Sequence, residues 1–590
     1  MLTRPHLTPK ERARRRALLR ETAGFADLDQ TVLDAALDRI ASVRLFAGEW
    51  LFRGGEPGDR MYLVMSGRVE VIREGADSVL AVVGPGETIG ELAVLTQADR
   101  SASVRALRDA ELLEIGADLL GELLAQHPAF GASLARVLAR RLHDAARQVT
   151  RRRPRLGVLA VMVLGDPAIA DEVLAHIVAC LEPEGRVDVL TGEEIQSAGL
   201  DPDAAAAAYA GLVDRHEHDA AVTVLHVDAR AASPFWARFA LRQADRVVLL
   251  VDSRSDTRDL ELLPEFAERA VAFYDRPPGV ASWLRLVAPA SHHFIDPGAD
   301  LQRTVARMMR RLAGRSLGVV LSGGGARGLA HIGVLEALEQ AGLTIDRVAG
   351  TSVGALVAGL YATGITPWEI RDVCLREVRA PFDDFTVPMV ALSRGRRMER
   401  MLQRIYGDAL IEELSIDFFC VSADLVSAQA VVHRSGSLAA AVAASASIPG
   451  VAPPRVHEGR LLVDGGVLNN LPTDIMAARA EGPIIASDVM NDDEVAHSGR
   501  PHRPSRTIAQ RLVRRLPAVD ARLPTIVETL SRASLLGSVH AAHAQRELAD
   551  LVILPDVAGF PFMDFGAIDP LITAGREAAR HALATAPDLD

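Results

Sequence analysis

Gly350-Thr351-Ser352-Val353-Gly354 follows an apolar approach and precedes the apolar run Ala355-Leu356-Val357-Ala358. A strand that turns sharply into a helix at a serine flanked by glycines leaves few folds open. The serine takes strained backbone angles, and the glycines remove side chains that would collide where strand and helix meet. The hydroxyl then sits at a helix N-terminus, where the peptide dipoles favour developing negative charge. The pattern implies a serine hydrolase built on an α/β layer.

Acyl transfer also needs a base and an anion trap. The base candidate is Asp464, delivered by Leu461-Leu462-Val463 and followed by Gly465-Gly466. The trap candidate is Gly323-Gly324-Gly325, which follows the strand-like Gly318-Val319-Val320-Leu321 and precedes a helical pattern. Without β-carbons, such amides can face a substrate oxygen, and one donor is worth ~3–4 kcal/mol in a transition state. Arg327 is placed to brace that loop or to neutralise a phosphate group. His331 and His433 lie near these motifs, but neither is placed as a triad would require. A carboxylate is a weak base toward a hydroxyl, so a Ser352–Asp464 dyad leans on the elbow, the helix dipole and the trap. Each motif alone is an ordinary turn; their order, each after an apolar strand, carries the reading.

The chain of 590 residues exceeds one hydrophobic core, so about three or four domains are expected. Up to residue 150, short apolar alternations separated by turn signals (Arg44–Phe46, Trp50–Phe52, Met61–Met65, Arg68–Ile72, Val79–Val83) predict a β-roll, and Gly131–Arg147 has helical periodicity. A basic, proline-containing linker follows. Residues 156–310 alternate helical segments with four strand candidates, Gly157–Leu164, Arg186–Leu190, Ala220–Val227 and Arg246–Val251. That pattern predicts a middle parallel α/β domain. Gly165-Asp166-Pro167 follows its first strand without the lysine of a phosphate loop, so nucleotide hydrolysis is not expected there. Residues 316–590 form the third unit, with the hydrolase motifs and a C-terminal extension. The predicted fold is thus multidomain α/β: an N-terminal β-roll with helices, a middle parallel α/β domain and a C-terminal α/β hydrolase domain.

Residues from about Leu317 to Leu471 resemble the patatin-like phospholipases. The resemblance rests on Gly323–Gly328, Gly350–Gly354, the run Ala444-Ser445-Ala446-Ser447-Ile448-Pro449-Gly450, and Asp464-Gly465-Gly466 followed by Asn469-Asn470-Leu471-Pro472. It departs from that pattern at none of the catalytic positions. The resemblance implies a Ser352–Asp464 dyad, an oxyanion hole at Gly323, Gly324 and Gly325, and hydrolysis of lipid acyl esters.

In the N-terminal unit, Gly90-Glu91-Leu92-Ala93 is followed by Arg100-Ser101-Ala102. Arg100 suits a cyclic phosphate, because guanidinium pairs with it in a fixed fork. Glu91 suits a ribose hydroxyl, the amides of Gly90–Leu92 can complete an anion nest, and Ser101 can add a phosphate hydrogen bond. The stretch resembles the phosphate-binding cassette of cyclic-nucleotide-binding domains. Cyclic AMP is the expected regulatory ligand by analogy with bacterial members, and no cofactor or metal is expected for the reaction. Together with Arg242–Val247 in the middle segment, the three units resemble bacterial relatives of neuropathy target esterase. That resemblance implies a phospholipid or lysophospholipid substrate.

A formal net charge of -12 disfavours nucleic acid as a partner. The three cysteines, Cys180, Cys374 and Cys420, are too scattered for a disulfide framework, which fits a reducing cytoplasm. The basic run Lys10–Arg20 lacks the apolar core of a signal peptide, and no apolar stretch reaches the ~20 residues of a membrane span. Arg506–Leu516 places Ile508, Leu512 and Leu516 at helical spacing, with Arg511, Arg514 and Arg515 between them. It reads either as a basic amphipathic helix in peripheral membrane contact or as a helix packed on the core with a solvated face. Two other functions fit the sequence less well than a lipid esterase. A non-catalytic nucleotide-responsive module is disfavoured by the intact serine, aspartate and glycine loop. A transcription factor is disfavoured by the missing DNA-binding helix pair.

Overall fold

The structure is a computed structural model. It describes residues 8–586 apart from 23–24, 74–77, 147–155, 194–208, 210–211, 214–215, 217–219, 232–233, 264–267, 379–380, 387–389, 491–536 and 539–540. The chain divides into two compact units, Met1–Leu312 and Ala313–Asp590. Arg506–Leu516 lies outside the described residues.

After the helices Pro9–Glu21 and Gln30–Leu37, the first unit holds β1 (Ala41–Leu45), β2 (Trp50–Phe52), β3 (Arg60–Ser66), β4 (Val69–Arg73), β5 (Ser78–Val83), β6 (Thr88–Ile89), β7 (Ser103–Ala106) and β8 (Ala110–Gly116). They form two antiparallel four-stranded sheets, ordered β1-β8-β3-β6 and β2-β7-β4-β5. Alternation along β3 and β8 explains the roll. Met61, Leu63, Leu113 and Ile115 face a helical core with Leu19, Phe25 and Leu33. Tyr62, Val64 and Leu112 face the core between the two sheets, with Phe52, Val69 and Val104. The helix Pro128–Ala146 follows, where helical periodicity was expected.

The middle part of this unit is a parallel sheet of β9 (Val158–Val163), β10 (Val187–Leu190), β11 (Val222–Asp228), β12 (Arg246–Val251), β13 (Arg269–Tyr274) and β14 (Ser291–Ile295), in the order β10-β11-β9-β12-β13-β14. β9 and β12 are buried along their whole length, as parallel strands covered on both faces must be. In such sheets, ligands sit in the crevice outside the carboxyl ends of the central strands. Here the Asp252 carboxylate accepts the Asp166 amide at 2.7 Å. A β-carbon on Gly165 would come within 2.0 Å of the same carboxylate. A carboxylate in that position repels phosphate.

The roll and the middle sheet exchange charges in both directions. Asp245 accepts the amides of Gly157 and Val158 at 2.9 Å each, and its other oxygen faces Arg68 at 3.3 Å and Arg108 at 3.6 Å. Arg242 in turn pairs with Asp109 at 2.8 Å. The segment Arg242–Val247 is therefore a joint between the two parts.

The second unit holds β15 (Leu317–Leu321), β16 (Ile345–Thr351), β17 (Asp417–Asp424), β18 (Gln429–His433), β19 (Arg455–His457), β20 (Arg460–Asp464), β21 (Ile484–Ser487) and β22 (Leu551–Ile553). Their order is β19-β20-β17-β16-β15-β21-β22, with β18 also paired to β17. β15, β16, β17, β21 and β22 run parallel, while β18 and β20 meet β17 antiparallel. Two apolar clusters cover the two faces of this sheet. The antiparallel return is what brings the end of β20 beside the end of β16.

Candidate active site and nucleotide-binding residues

Ser352 lies between β16 and the helix Val353–Ala362, with φ 57° and ψ −123°. A non-glycine residue there is strained, and the surrounding packing must hold it. The glycines show how. A β-carbon on Gly354 would lie 2.3 Å from the Leu321 carbonyl oxygen, and one on Gly350 would lie 2.4 Å from the Gly354 carbonyl carbon. The helix can therefore press onto β15 only with hydrogen at both positions.

Ser352 Oγ donates to Asp464 Oδ2 at 2.6 Å. The other oxygen, Oδ1, accepts the Gly466 amide at 2.8 Å. Both residues are buried, at 4% exposure each. Burial pushes the Asp464 pKa up from 3.8 to about 6, against the opposing pull of the hydrogen bonds from Ser352 and Gly466. A carboxylate so raised is a stronger base than an ordinary aspartate, which a serine nucleophile without an imidazole requires.

The run Ala444–Gly450 straps both residues in place. Ser445 Oγ accepts the Ser352 amide at 2.9 Å and donates to the Val421 carbonyl at 2.6 Å. The Ser447 carbonyl accepts the Asp464 amide at 2.9 Å. These two serines were visible in the sequence only as part of the resemblance, because nothing local marks a hydroxyl or a carbonyl that accepts a distant amide.

The glycine loop lies against the serine. A β-carbon on Gly323 would be 3.2 Å from Ser352 Cβ and 2.6 Å from Asn470 Oδ1. The Gly323 amide donates to the Asn470 carbonyl at 3.1 Å, and Asn470 Nδ2 returns a bond to the Gly323 carbonyl at 3.2 Å. Of the three expected trap amides, that of Gly323 is thus committed to Asn470, and Gly324 and Gly325 are left as candidates. Arg327 is buried and donates to the Phe560 carbonyl at 2.7 Å, so it braces the loop.

The histidines have structural partners. His331 bridges Ser487 Oγ and the Ser322 carbonyl at 2.9 Å each, and burial holds its pKa down at about 4. His433 pairs with Ser422 Oγ at 2.7 Å, and burial lowers it to about 4 as well.

In the roll, Gly90, Glu91 and Arg100 come together. Arg100 is buried, donates to the Gly90 carbonyl at 3.1 Å and to the Arg60 carbonyl at 2.8 Å, and stacks on Phe52. Desolvation lowers its pKa, partly offset by nearby acidic groups that include Glu91. Glu91 is buried beside it, whereas Leu92 and Ser101 are exposed. Among the described residues, no group of three or more His, Cys, Asp or Glu could hold a metal ion. No helix among them is long and apolar enough to cross a membrane.

This fold and site define a patatin-like phospholipase that carries a cyclic nucleotide-binding domain. Residues 319–477 match the patatin-like phospholipase family and residues 42–127 match the cyclic nucleotide-binding domain family. An uncharacterized NTE family protein of Mycobacterium tuberculosis is 38% identical over the whole of both chains. Lysophospholipase NTE1 of Mycosarcoma maydis is 28% identical over 91% of this chain and 33% of its own length. Patatin-like phospholipase domain-containing protein 6 of Homo sapiens is 29% identical over 92% of this chain and 44% of its own length. The chain belongs to the NTE family.

Proposed function

We propose that the protein is a serine esterase that hydrolyses acyl esters of phospholipids or lysophospholipids through a Ser352–Asp464 dyad. Ser352 Oγ attacks the ester carbonyl while Asp464 takes its proton. The amides of Gly324 and Gly325 receive the oxyanion, and the proton passes to the departing alcohol. Water, activated by the same carboxylate, then releases the fatty acid and restores Ser352. The observation that carries this reading is the 2.6 Å bond from Ser352 Oγ to Asp464 Oδ2 at a strained elbow. The name of the fungal relative, a lysophospholipase, supports the substrate class.

The cyclic nucleotide-binding domain supports a regulatory role for a cyclic nucleotide, with cyclic AMP as the proposed ligand and no cofactor needed for hydrolysis. Arg100 would pair with the phosphate and Glu91 with the ribose hydroxyl. A ligand shifts activity only by its differential affinity for two states of the enzyme, so binding and regulation must be measured separately. The proposed setting is cytoplasmic, with peripheral contact to the lipid that carries the substrate.

The test is release of fatty acid from lysophosphatidylcholine and phosphatidylcholine by wild type and Ser352→Ala, each with and without cyclic AMP. Release by wild type and none by the variant is the expected result. Equal release by both overturns the dyad, and equal rates with and without nucleotide, despite measured binding, overturn the regulation.

A further inference from the structure

β17 runs past the end of its parallel neighbour. Its last pairing with β16 is Val421 with Thr351, and Ser422–Asp424 continue beyond it, paired with β18 and β20. Ser422 lies opposite Asp464 and Asp424 opposite Leu462, so β20 reaches its catalytic end from outside the parallel sheet. At ~3.3 Å per residue, Leu461 stands about 10 Å beyond Asp464. These strands form a wing that projects past the dyad.

The wing carries large apolar side chains in solvent. Val456 pairs with Leu461, and the Leu425 amide donates to the Leu461 carbonyl, which sets Leu425, Leu461 and Val456 in one lateral row. Leu425 is 52% exposed, Val456 78%, and Val426, in the turn between β17 and β18, 80%. A second apolar pair lies on the adjoining loop. Phe385 and Val390 are exposed, and the loop is tied by Leu392 to Gly450 and by Ser393 to Val451. Those two residues close the segment whose Ser447 carbonyl holds the Asp464 amide. Exposed apolar groups gathered on the wing and on the loop beside it mark a binding surface rather than chance scatter.

The flanking charge is cationic. Arg396, Arg397 and Arg400, in the first turns of the helix Arg396–Tyr406, are exposed, as are Arg394 before it and Arg460 on the wing; Glu399, Glu458 and, beside Phe385, Asp383 are the exposed acids around them.

We propose that this rim, with Leu425, Val426, Val456, Phe385 and Val390 at its edge, docks on an anionic phospholipid surface. The inference rests on the esterase reading for its choice of partner. An acyl ester must leave its lipid layer to reach Ser352, and a rim seated on that layer turns the strand ends that carry the dyad toward it. A protein seated on the same rim would stand between the lipid layer and the dyad. The arginines supply complementarity to acidic headgroups, and the apolar tips supply burial in the acyl boundary.

The test uses the full chain and vesicles of equimolar phosphatidylcholine and phosphatidylglycerol, with sedimentation as the readout. Replacing Leu425, Val426 and Val456 together by Ser lowers vesicle partitioning at least about tenfold. Turnover of p-nitrophenyl butyrate, which is dispersed in water, stays at the wild-type level and shows that the variant is folded. Replacing Arg396, Arg397 and Arg400 by Gln removes the preference for phosphatidylglycerol over phosphatidylcholine. The proposal is overturned if wild type does not bind the vesicles, if the triple Ser variant binds as wild type does, or if its soluble-ester turnover falls in parallel with binding. Failure of the esterase reading is separable, because wild type then cleaves neither ester while the binding comparison still judges the rim.

Discussion

Replacing Asp464 by Asn removes the proposed base and a buried charge together, and the two consequences have opposite signs. A positioned general base contributes ~10²–10⁴-fold, so hydrolysis falls by about three orders of magnitude. Stability moves the other way. The folded pKa is about 6 against an ordinary 3.8, because burial outweighs the bonds from Ser352 and Gly466. The folded state therefore holds the proton more tightly than the unfolded chain. Below about pH 4 both states are protonated and the group is neutral in the balance. As pH rises toward 6, the unfolded chain loses the proton first and stability falls. Above the folded pKa the full loss, about 3 kcal/mol, is present. Asn escapes that loss while keeping an acceptor for Gly466, so Asp464→Asn is expected to stabilise the catalytic unit by up to about 3 kcal/mol near pH 8. The gain shrinks to about half near pH 5. Urea-dependent hydrogen exchange of peptides covering β16 and β20 reads that unit alone. A variant that is less stable than wild type near pH 8, or a gap that does not change with pH, would refute the buried-carboxylate reasoning. Retained hydrolysis would refute the base.

Four further outcomes are expected. Wild-type hydrolysis rises with pH through about 6 as Asp464 ionises, and a pH–rate profile that is flat across that range contradicts its role. Ser445→Ala leaves the Ser352 amide without its acceptor, which costs about 1–3 kcal/mol; kcat falls while KM for a soluble ester holds, and an unchanged kcat would show that the strap is dispensable. Arg100→Gln removes the proposed charge-assisted partner of the phosphate, so calorimetry is expected to show at least about tenfold weaker cyclic AMP binding with nucleotide-free hydrolysis unchanged. Asp245→Ala withdraws the carboxylate facing Arg68 and Arg108, and loss of one partner of a buried pair costs about 3–5 kcal/mol; faster proteolysis between roll and middle sheet is expected, with Asp245→Asn milder because it keeps an acceptor for the Gly157 and Val158 amides.

Much of the layout was legible because it depends on local pattern. β2 was expected over Trp50–Phe52 and is found there, and β12 over Arg246–Val251 likewise. Alternation and buried apolar runs announce such strands directly. β13 and β14 were not anticipated. Arg269–Tyr274 is a short run opened by arginine, and Ser291–Ile295 carries two histidines, so their strand character comes from pairing with β12 and with each other. The meeting of Ser352 with Asp464 was readable from the three glycine-rich motifs. The competition for the Gly323 amide was not, since Asn470 lies 147 residues away and wins it only through the fold. Ser445 escaped for the same reason. The segment Arg242–Val247 stood out by resemblance alone, and its physical role appears only when Asp245 meets arginines from turns of the roll.

The central claim is that Ser352 is a nucleophile activated by Asp464. Labelling with a fluorophosphonate, followed by mass spectrometry of the peptides, tests it at the atom concerned. The expected result is one adduct, on Ser352, that is absent in Ser352→Ala and formed far more slowly in Asp464→Asn. An adduct on another residue, or labelling of Ser352→Ala at the wild-type rate, would contradict the account.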